Sequence, residues 1–343
     1  MTISRYHARM ATAPALSVIM SVYNGAAHLY PAVQSILAQD FTDFEFLIVN
    51  DGSTDASSNM LKALAASDER IRLIERENRG LVASLNEMLS AAKAPLLARM
   101  DGDDIAMPGR FSKQMTYLAA HPEIGILGSN THDLDENGRI IGATDNYPLT
   151  PDAAQAHLKN GPPLCHPSVM MRTALIRKLG GYRAAFRHAE DYDLWLRASR
   201  QTAIANLPDR LLLYRRSPSQ VSQKFAAEQA MAAVIAWFDH ERCLAGWPSL
   251  FDSATELPDF DQIDALFGDE GLGAAARKKL VERLRYSPDM LRGSDFAVMM
   301  AQARSGRGFT GAGRTILRLG RMGKVSRAVS LAAAMTGTLL SSS

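Results

Sequence analysis

The sequence predicts an α/β fold: a mostly parallel sheet with helices on both faces, followed by a helical C-terminal region. From residue 16 onward, short apolar runs alternate with segments whose apolar residues recur at helical spacing. Such alternation favours a parallel sheet covered by helices. From about Phe225 the pattern is helical to the end of the chain and rich in Ala, Met and Arg.

The first part of the sheet is predicted from four apolar runs. Strands are expected at residues 16–22, 44–49, 71–75 and 94–100. The turn NDGSTD ends the second strand, and Ser53 or Thr54 is expected to cap the helix that follows it.

The pattern changes after the fourth strand. Pro108 is expected at the start of a helix, and Asn137-Gly138 at the turn of a β-hairpin. The later predicted elements are strands at 167–173 and 210–216, with a helix over 190–200 between them. A domain boundary near residue 222 divides the chain into a domain of residues 1–222 and a helical region of residues 223–343.

The composition is that of an ordinary globular protein, with 47% hydrophobic and 22% charged residues. Cys165 and Cys243 are the only cysteines, which excludes a cysteine zinc site and fits a reducing compartment. No signal peptide and no apolar run of about 20 residues is visible, so a cytoplasmic location is expected.

The charge is unevenly distributed along the chain. The net charge is +2, yet the residues after Asp295 include seven basic and no acidic side chains. The rest of the chain therefore carries −5, the difference between +2 and +7. Such a basic end suits an anionic surface, either membrane lipid or a phosphate-bearing ligand, or is a solvated helical face.

Polar residues collect where the first four strands end. These segments are VYNG (22–25), NDGSTD (50–55), ENRG (77–80) and DGDD (101–104). Ligands of open α/β sheets bind beyond this edge, but the chain has no glycine-rich phosphate loop. Asp101, Asp103 and Asp104 repel one another unless a cation compensates them. The cluster therefore predicts a divalent cation that holds a diphosphate.

Seven motifs together carry a resemblance to a known family. They are SVIMSVYNG, LIVNDGSTD, NRGLVASLN, ARMDGDDIAMPGRFSKQ, CHPSVMMR, GGY and EDYDLWLR, in this order. Residues 15–222 resemble the bacterial family 2 glycosyltransferases of GT-A fold from polysaccharide and O-antigen gene clusters. The resemblance implies a GT-A type, Rossmann-like sheet and inverting transfer of a sugar from a nucleoside diphosphate sugar, with a UDP-sugar favoured, to a saccharide or lipid-linked acceptor hydroxyl.

The resemblance also implies the catalytic residues. Asp191 matches the second acid of the family's Glu-Asp pair, which is taken as the catalytic base, and Glu190 is the second choice. On a helix, Asp191 shares a face with Leu194 and Trp195, and apolar surroundings would raise the pKa of its carboxyl toward a useful value. An acidic first turn that only favours the helix dipole is the alternative interpretation.

The donor site follows by the same comparison. Tyr23, Asn24, Asp51 and Arg79 are expected to bind the nucleotide, with Asp51 accepting from the base N–H. His166 is expected as a donor or acceptor contact. Asp103 is expected as the main ligand of Mn²⁺ or Mg²⁺, and Asp101 is expected to face either the ribose or, through water, the metal. Asp104 is expected to contact the sugar or the ion. Asp55 is expected at a helix N-terminus, and Arg99 is expected to offset the acidic charge. Trp195 is expected in the core.

One departure from the family pattern leaves the metal open. Related enzymes often have Tyr-Arg-x-His where this chain has YRRS, so Ser217 occupies the His position. Either Asp103 coordinates the ion with phosphate and water, or Arg215 or Arg216 neutralises the diphosphate directly. Two other functions stay open, namely a catalytically weak module that binds sugar nucleotide and a sugar nucleotidyltransferase.

The C-terminal helices carry no motif of the family. Residues 328–340 are apolar but too short to span a bilayer, so peripheral contact with the inner membrane face is one prediction. Packing as a terminal helix and a dimer contact are the alternatives. Gly320 and Gly323 are expected to weaken or break the helix that precedes this segment.

Overall fold

The chain divides into two compact units in a computed structural model that describes residues 13–217, 225–268, 270–293, 295–305 and 308–340. The first unit comprises Met1–Tyr182 and Leu194–Ser217, and the second comprises Arg183–Asp193 and Pro218–Ser343. The boundary predicted near residue 222 lies outside the described residues.

A nine-stranded sheet forms the centre of the first unit. Its strands are β1 (Leu16–Val22), β2 (Phe44–Asp51), β3 (Ile71–Arg76), β4 (Leu96–Asp101), β5 (Ile105–Ala106), β6 (Ile124–Leu134), β7 (Ile140–Thr144), β8 (Met170–Arg172) and β9 (Ala203–Arg215). The strand order is β3-β2-β1-β4-β8-β6-β9-β5, and β7 pairs with β6.

Helices connect most of these strands. They are α1 (Ala26–Leu37), α2 (Ser57–Ser67), α3 (Leu81–Ala91), α4 (Arg110–Ala120), α5 (Pro151–His157) and α6 (Thr173–Lys178). Helix α7 (Glu190–Ala198) begins in the segment assigned to the second unit and ends in the first.

The first four strands are parallel, as predicted. Leu16 of β1 is in register with Phe44 of β2 and with Leu96 of β4. The crossover helices α1, α2 and α3 each return the chain to the edge where the strands begin, so the four carboxyl ends of the strands lie together at the opposite edge. This edge carries the polar segments described above.

Beyond β4 the pairing is mixed. Strand β8 is antiparallel to both β4 and β6, whereas β6 is parallel to β9. The hairpin predicted at Asn137-Gly138 joins β6 to β7. The strand predicted over 167–173 is shorter than expected, since His166–Ser168 forms a 3₁₀ turn that contains Pro167. The strand predicted from residue 210 begins at Ala203 instead.

Strands β1, β2 and β4 bury both faces, which explains their nearly continuous apolar runs. Val18 and Met20 of β1 belong to one large core cluster with Leu29 and Val33 of α1. Successive side chains of a strand point to opposite faces, so Ser17 faces the other layer. There its hydroxyl donates to Glu45 and accepts from Ala94 N–H, beside the end of α3.

The second unit is helical within its described part. Its helices are α8 (Ala226–Leu244), α9 (Phe260–Phe267), α10 (Leu272–Leu284), α11 (Pro288–Arg292), α12 (Phe296–Arg304), α13 (Ala312–Arg321) and α14 (Val325–Leu340). A separate core cluster includes Val281, Met299, Leu319 and Leu331. No helix in the described ranges is both long and apolar enough to cross a membrane.

Helix α13 ends just before Gly323, as expected, but it is not broken at Gly320. Gly320 lies within the helix, which ends only after Arg321, and Gly323 follows with a φ of 72°. An exposed glycine costs a helix about 1 kcal/mol, which the packing of Leu319 offsets, whereas the left-handed conformation at Gly323 ends the helical path.

Candidate active site

Three carboxylates converge where β4 ends. Asp101 is the last residue of β4, and Asp103 and Asp104 lie in the turn before β5. Each residue has a carboxylate oxygen within 4.8 Å of a carboxylate oxygen of both others. Burial and the charge of Asp101 raise the pKa of Asp103 to about 6 and raise that of Asp104 well above its usual value. The cluster is therefore an unfavourable concentration of negative charge that a cation would relieve.

Arg99 compensates part of this charge, as predicted. Its guanidinium is buried and forms two contacts of 2.5–2.6 Å with the two carboxylate oxygens of Asp101. Arg99 and Asp101 are two residues apart on β4, so their side chains lie on the same face of the strand.

Arg215 fixes the backbone of the acidic turn instead of being available to a diphosphate. Its main-chain N–H donates to Asp104 Oδ1 at 2.8 Å, and its Nε donates to the carbonyl of Asp103 at 2.8 Å. The side chain is buried and also donates to the carbonyl of Asp135. Arg216 is engaged as well, because its Nε donates to Asp133 at 2.9 Å. Direct neutralisation of a diphosphate by Arg215 is therefore disfavoured by its position.

The residues of the cluster fit a hard divalent cation. Asp104 Oδ2 is buried and has no hydrogen-bond partner among the described residues. An unsatisfied buried carboxylate oxygen is costly, and carboxylate oxygens are the ligands that Mg²⁺ and Mn²⁺ prefer. Ser217, at the position where the family often has His, donates to Glu136 at 2.9 Å.

Two neighbouring turns are joined through Asn24. Its backbone is left-handed, with a φ of 51°, and its side-chain oxygen accepts the N–H of Thr54 at 2.8 Å and of Asp55 at 3.3 Å. The preceding Tyr23 has 56% of its surface exposed at the carboxyl edge of the sheet. Asn24 thus holds the loops after β1 and β2 together, beside an exposed aromatic ring.

The start of α2 differs from the prediction. Ala56 precedes the helix, and neither Ser53 nor Thr54 caps it. Ser53 instead accepts the N–H of Asn24 at 3.0 Å. The Asp55 carboxylate accepts the N–H of Ser57 at 2.9 Å and the N–H of Ala26 at 3.1 Å, so it serves the N-termini of two helices.

Asp51 anchors the loop between β3 and α3. Its carboxylate is buried and accepts the N–H groups of Arg79 at 3.0 Å and Gly80 at 2.8 Å. Arg76 adds an ion pair at 2.8 Å. The side chain of Arg79 is exposed at the carboxyl edge of the sheet, where the acidic cluster also lies. Asp51 therefore shapes this part of the edge through backbone contacts that the sequence pattern did not reveal.

His166 lies in a buried aromatic environment. Its Nε2 is 3.0 Å from the hydroxyl of Tyr182, and its ring packs edge-on against Trp195 at a centroid distance of 5.8 Å. Burial, together with the charge of Arg99, holds the pKa of His166 well below its usual value, so the ring is neutral at pH 7. Trp195 is fully buried, as expected for a core residue.

Glu190 and Asp191 belong to the second unit and open helix α7. Glu190 is buried, and Asp191 is half-buried. Asp191 Oδ1 accepts the N–H of Tyr192 at 2.7 Å. The sequence reasoning missed the neighbouring Arg183, which pairs with Asp193. Its only sequence signal was an arginine directly after the GGY motif, and that signal does not name a partner.

Comparisons with known proteins identify related chains. A family model described as glycosyl transferase family 2 matches residues 17–180. EpsE of Bacillus subtilis strain 168, which is named as a glycosyltransferase, is 38% identical over 192 residues, or 55% of this chain and 68% of EpsE. The O-antigen biosynthesis glycosyltransferase WbnJ of Escherichia coli is 32% identical over 204 residues, or 58% of this chain and 79% of WbnJ.

Solved structures are similar in fold. TarS 1–349 of S. aureus in complex with UDP-GlcNAc superposes with a TM-score of 0.57 at 15% identity, covering 94% of this chain and 92% of that one. The mannosyltransferase PcManGT of Pyrobaculum calidifontis, in complex with GDP-Man and Mn²⁺, has a TM-score of 0.52 at 16% identity and covers 96% and 88%.

Proposed function

The chain belongs to glycosyltransferase family 2, and from this premise we propose that it transfers a sugar from a nucleoside diphosphate sugar to an acceptor hydroxyl in the assembly of a surface polysaccharide. The single observation that carries the proposal is the group of three carboxylates at the end of β4, at the edge where the turns after β1 and β2 are joined. A UDP-sugar is the favoured donor, and a saccharide or a lipid-linked sugar is the favoured acceptor.

The acidic cluster is the proposed site of a divalent cation, Mn²⁺ or Mg²⁺. Asp103 and Asp101 would hold the ion, and Asp104 would contribute its unsatisfied oxygen to the ion or to the sugar. When bound, the ion would neutralise the diphosphate that leaves with the nucleoside. Arg99 is already paired with Asp101, so the chain's own cations compensate this charge only in part.

The proposed nucleoside pocket uses the adjoining turns. The exposed ring of Tyr23 offers a surface for stacking, and Asn24 holds the turn that presents this ring. Asp51 Oδ2 accepts the N–H of Gly80 and has a second lone pair with which it could accept from a base N–H. Arg79 carries an exposed guanidinium for the nucleotide. His166, whose neutral ring is hydrogen-bonded to Tyr182, would contact the donor or the acceptor.

Inverting transfer is a single displacement in the proposed mechanism. Asp191 accepts the proton of the acceptor hydroxyl while the acceptor oxygen bonds to the anomeric carbon from the face opposite the diphosphate. The bond from that carbon to the diphosphate oxygen breaks, and its electron pair leaves with the nucleoside diphosphate. Glu190 is the second candidate for the base.

The donor and metal proposals are tested together by thermal shift. UDP, TDP, GDP and CDP are each titrated with and without Mn²⁺. One nucleotide is expected to stabilise the protein in the presence of the metal, by about 2.7 kcal/mol at a hundredfold excess over its Kd. Asp103→Asn should abolish the Mn²⁺-dependent part because it removes a charged ligand.

Asp43→Asn is the matched control for Asp103→Asn. Asp43 is an exposed aspartate just before β2, at the opposite edge of the sheet, so its substitution should leave the nucleotide shift intact. A selective shift that does not need the metal would refute the metal site but retain the transferase. The absence of a shift with every nucleotide would contradict the donor proposal.

The base is tested by the pair Asp191→Asn and Glu190→Gln. If Asp191 is the base, Asp191→Asn should lower kcat by about 10²–10⁴-fold, the contribution of general base catalysis, and leave the nucleotide-induced thermal shift nearly unchanged. Glu190→Gln should have the smaller effect on kcat. The reverse ranking would make Glu190 the base. Loss of nucleotide binding together with activity in Asp191→Asn would indicate a structural role.

The basic end of the chain is the proposed contact with an anionic membrane surface. Arg314, Arg318 and Arg321 lie on one face of α13, all exposed, with Leu317 between them at 65% exposure. Because helix positions three and four apart share a face, this face offers cations around an apolar side chain. Phospholipid headgroups complement such charge, and the exposed leucine can enter the interface. This contact would bring the enzyme to a lipid-linked acceptor.

A further inference from the structure

Helix α8 is attached to the short segment that carries Glu190 and Asp191 at two points, one before this pair in the sequence and one after it. The segment 183–193 and helix α8 both belong to the second unit. We propose that α8 is a positioning element: Asp239 and Gln229 of this helix set the backbone conformation that presents Asp191. The inference rests on the role of Asp191 in the proposed function and deepens it, since it assigns to the C-terminal region a part in the transfer step.

The first attachment is a buried ionic network around Arg183. The Arg183 guanidinium donates to both carboxylate oxygens of Asp193, with its Nε 3.1 Å from each. It also contacts Asp239 of α8 at 3.2 Å. Asp193 and Asp239 are each 1% exposed, so water does not compensate their charges. Arg183 therefore joins the first turn of α7 to α8.

Further contacts orient Asp239 and Arg183. Asp239 accepts the hydroxyl of Ser249 at 2.6 Å and the N–H of Leu250 at 2.9 Å. Ser249 in turn accepts from Arg183 at 2.6 Å. The guanidinium lies over the ring of Phe186, 4.6 Å from its centroid. Because Asp239 is itself held by Ser249 and Leu250, and Ser249 also contacts Arg183, the position of Arg183 is defined by several elements at once.

The second attachment lies at His188, two residues before Glu190. His188 has a φ of 68°, a left-handed conformation that residues other than glycine adopt when their surroundings hold them in it. Its carbonyl accepts Gln229 Nε2 at 2.8 Å. Its ring stacks on Phe225 with a centroid distance of 4.3 Å and an interplanar angle of 9°. The start of α8 thus stabilises an unusual backbone turn directly before the acidic pair.

The two attachments bracket Glu190 and Asp191 in the sequence. His188 lies on one side and Asp193 on the other, and each is bound to α8 directly or through Arg183. A small shift of α8 would therefore move the carboxylate that accepts the proton. General base catalysis is sensitive to such shifts, and a misplacement of about 1 Å can cost about a hundredfold in rate.

The test compares Gln229→Ala and Asp239→Asn with Glu241→Ala in the whole chain of 343 residues. Glu241 is exposed on the same helix and serves as the matched control. Each test variant is expected to lower kcat about tenfold or more, to leave the donor KM unchanged, and to retain the nucleotide-induced thermal shift. Glu241→Ala should leave kcat unchanged. Rescue by Asp239→Glu would support the role of the charge.

Two outcomes separate this inference from its premise. If Asp191→Asn abolishes transfer but Gln229→Ala and Asp239→Asn keep the wild-type kcat, the positioning role is refuted while the proposed function stands. If Asp191→Asn keeps the wild-type kcat, the premise itself fails. A lower melting temperature with an unchanged kcat, measured well below that temperature, identifies α8 as merely structural and overturns the inference. Should Asp239→Asn not fold, His188→Gly provides the second variant, since it removes the stacking and keeps the left-handed backbone accessible.

Discussion

At the scale of single residues, the chemistry of the site depends on carboxylates whose environments differ. Asp101 pairs with Arg99, which compensates part of its charge, whereas Asp103 is half-buried and Asp104 is buried beside that pair. Burial disfavours their charged forms, and this is the direct cause of the raised pKa of Asp103. Asp51 uses its charge differently, since it accepts two backbone N–H groups and pairs with Arg76.

The raised pKa of Asp103 predicts a pH-dependent response to metal. A carboxyl with a raised pKa stabilises the metal-free fold at pH values below its unfolded-state pKa, and this contribution is lost as the pH rises through about 6. A cation binds the deprotonated form, so its stabilising effect should have the opposite pH dependence.

The thermal shift caused by Mn²⁺ should therefore grow between pH 5 and pH 7.5, roughly a range that brackets the Asp103 pKa. Differential scanning fluorimetry at constant ionic strength measures it, with Asp103→Asn as the control that lacks the titrating group. An equal Mn²⁺ shift at both pH values would contradict coordination by Asp103.

At the scale of elements, the turns after the strands determine the shape of the site. Gly52, between β2 and α2, has a φ of 76°, and a Cβ placed on it would lie 2.6 Å from the backbone nitrogen of Asn78. The loop after β3 therefore packs directly against the turn after β2. Gly138 in the β6–β7 hairpin has a similar φ of 80° but no atom within 4 Å of such a Cβ.

This pair of glycines gives a matched prediction for stability. Gly138→Ala should cost about 1–2 kcal/mol because alanine is strained in the left-handed region. Gly52→Ala should cost about 1–3 kcal/mol more, since the backbone of Asn78 must also move. Urea denaturation measures both free energies of unfolding. Equal losses of unfolding free energy in the two variants would mean that the close approach to Asn78 does not affect stability.

At the scale of the whole molecule, the basic end and the rest of the chain carry net charges of opposite sign. The part up to Asp295 carries −5, and the remainder carries +7. The exposed cations of α13 and the exposed Val325 and Val329 of α14 lie in this basic part. The second unit has its own apolar cluster, in which Leu319 and Leu331 are fully buried. The basic face is thus carried by helices that already have a core.

Membrane binding of the whole chain should follow from this charge. Vesicles of phosphatidylcholine with phosphatidylglycerol should co-sediment the protein at low salt, whereas vesicles of phosphatidylcholine alone should not. Each arginine near an anionic surface contributes about 1 kcal/mol, so Arg314→Gln, Arg318→Gln and Arg321→Gln together should weaken binding about a hundredfold. Salt at about 1 M should also release the protein because the Debye length falls to about 3 Å.

A second triple variant controls for total charge. Lys159, Lys178 and Arg200 are exposed in the first unit, and their replacement by Gln removes the same charge elsewhere. This variant should keep vesicle binding. Equal losses in both triple variants would indicate attraction by net charge alone, and no binding by the wild-type chain would refute the membrane contact.

The sequence by itself determined the first four strands, the helices between them and the acidic residues at their ends. These features are local, because hydrophobic periodicity and turn chemistry report the environment of each short segment. The same reasoning identified the Arg99 compensation and the burial of Trp195, both of which the structure shows. Motif order added the family, which the related chains establish.

Only the tertiary structure decided which side chains meet. Arg215 holds the acidic turn from 111 residues away, and Asp51 binds a loop 28 residues further on. The mixed pairing beyond β4 and the ties between α8 and the segment 183–193 are likewise contacts between distant parts of the chain. Periodicity does not encode such partners, because the free energy that selects them comes from packing and buried charge in the folded chain.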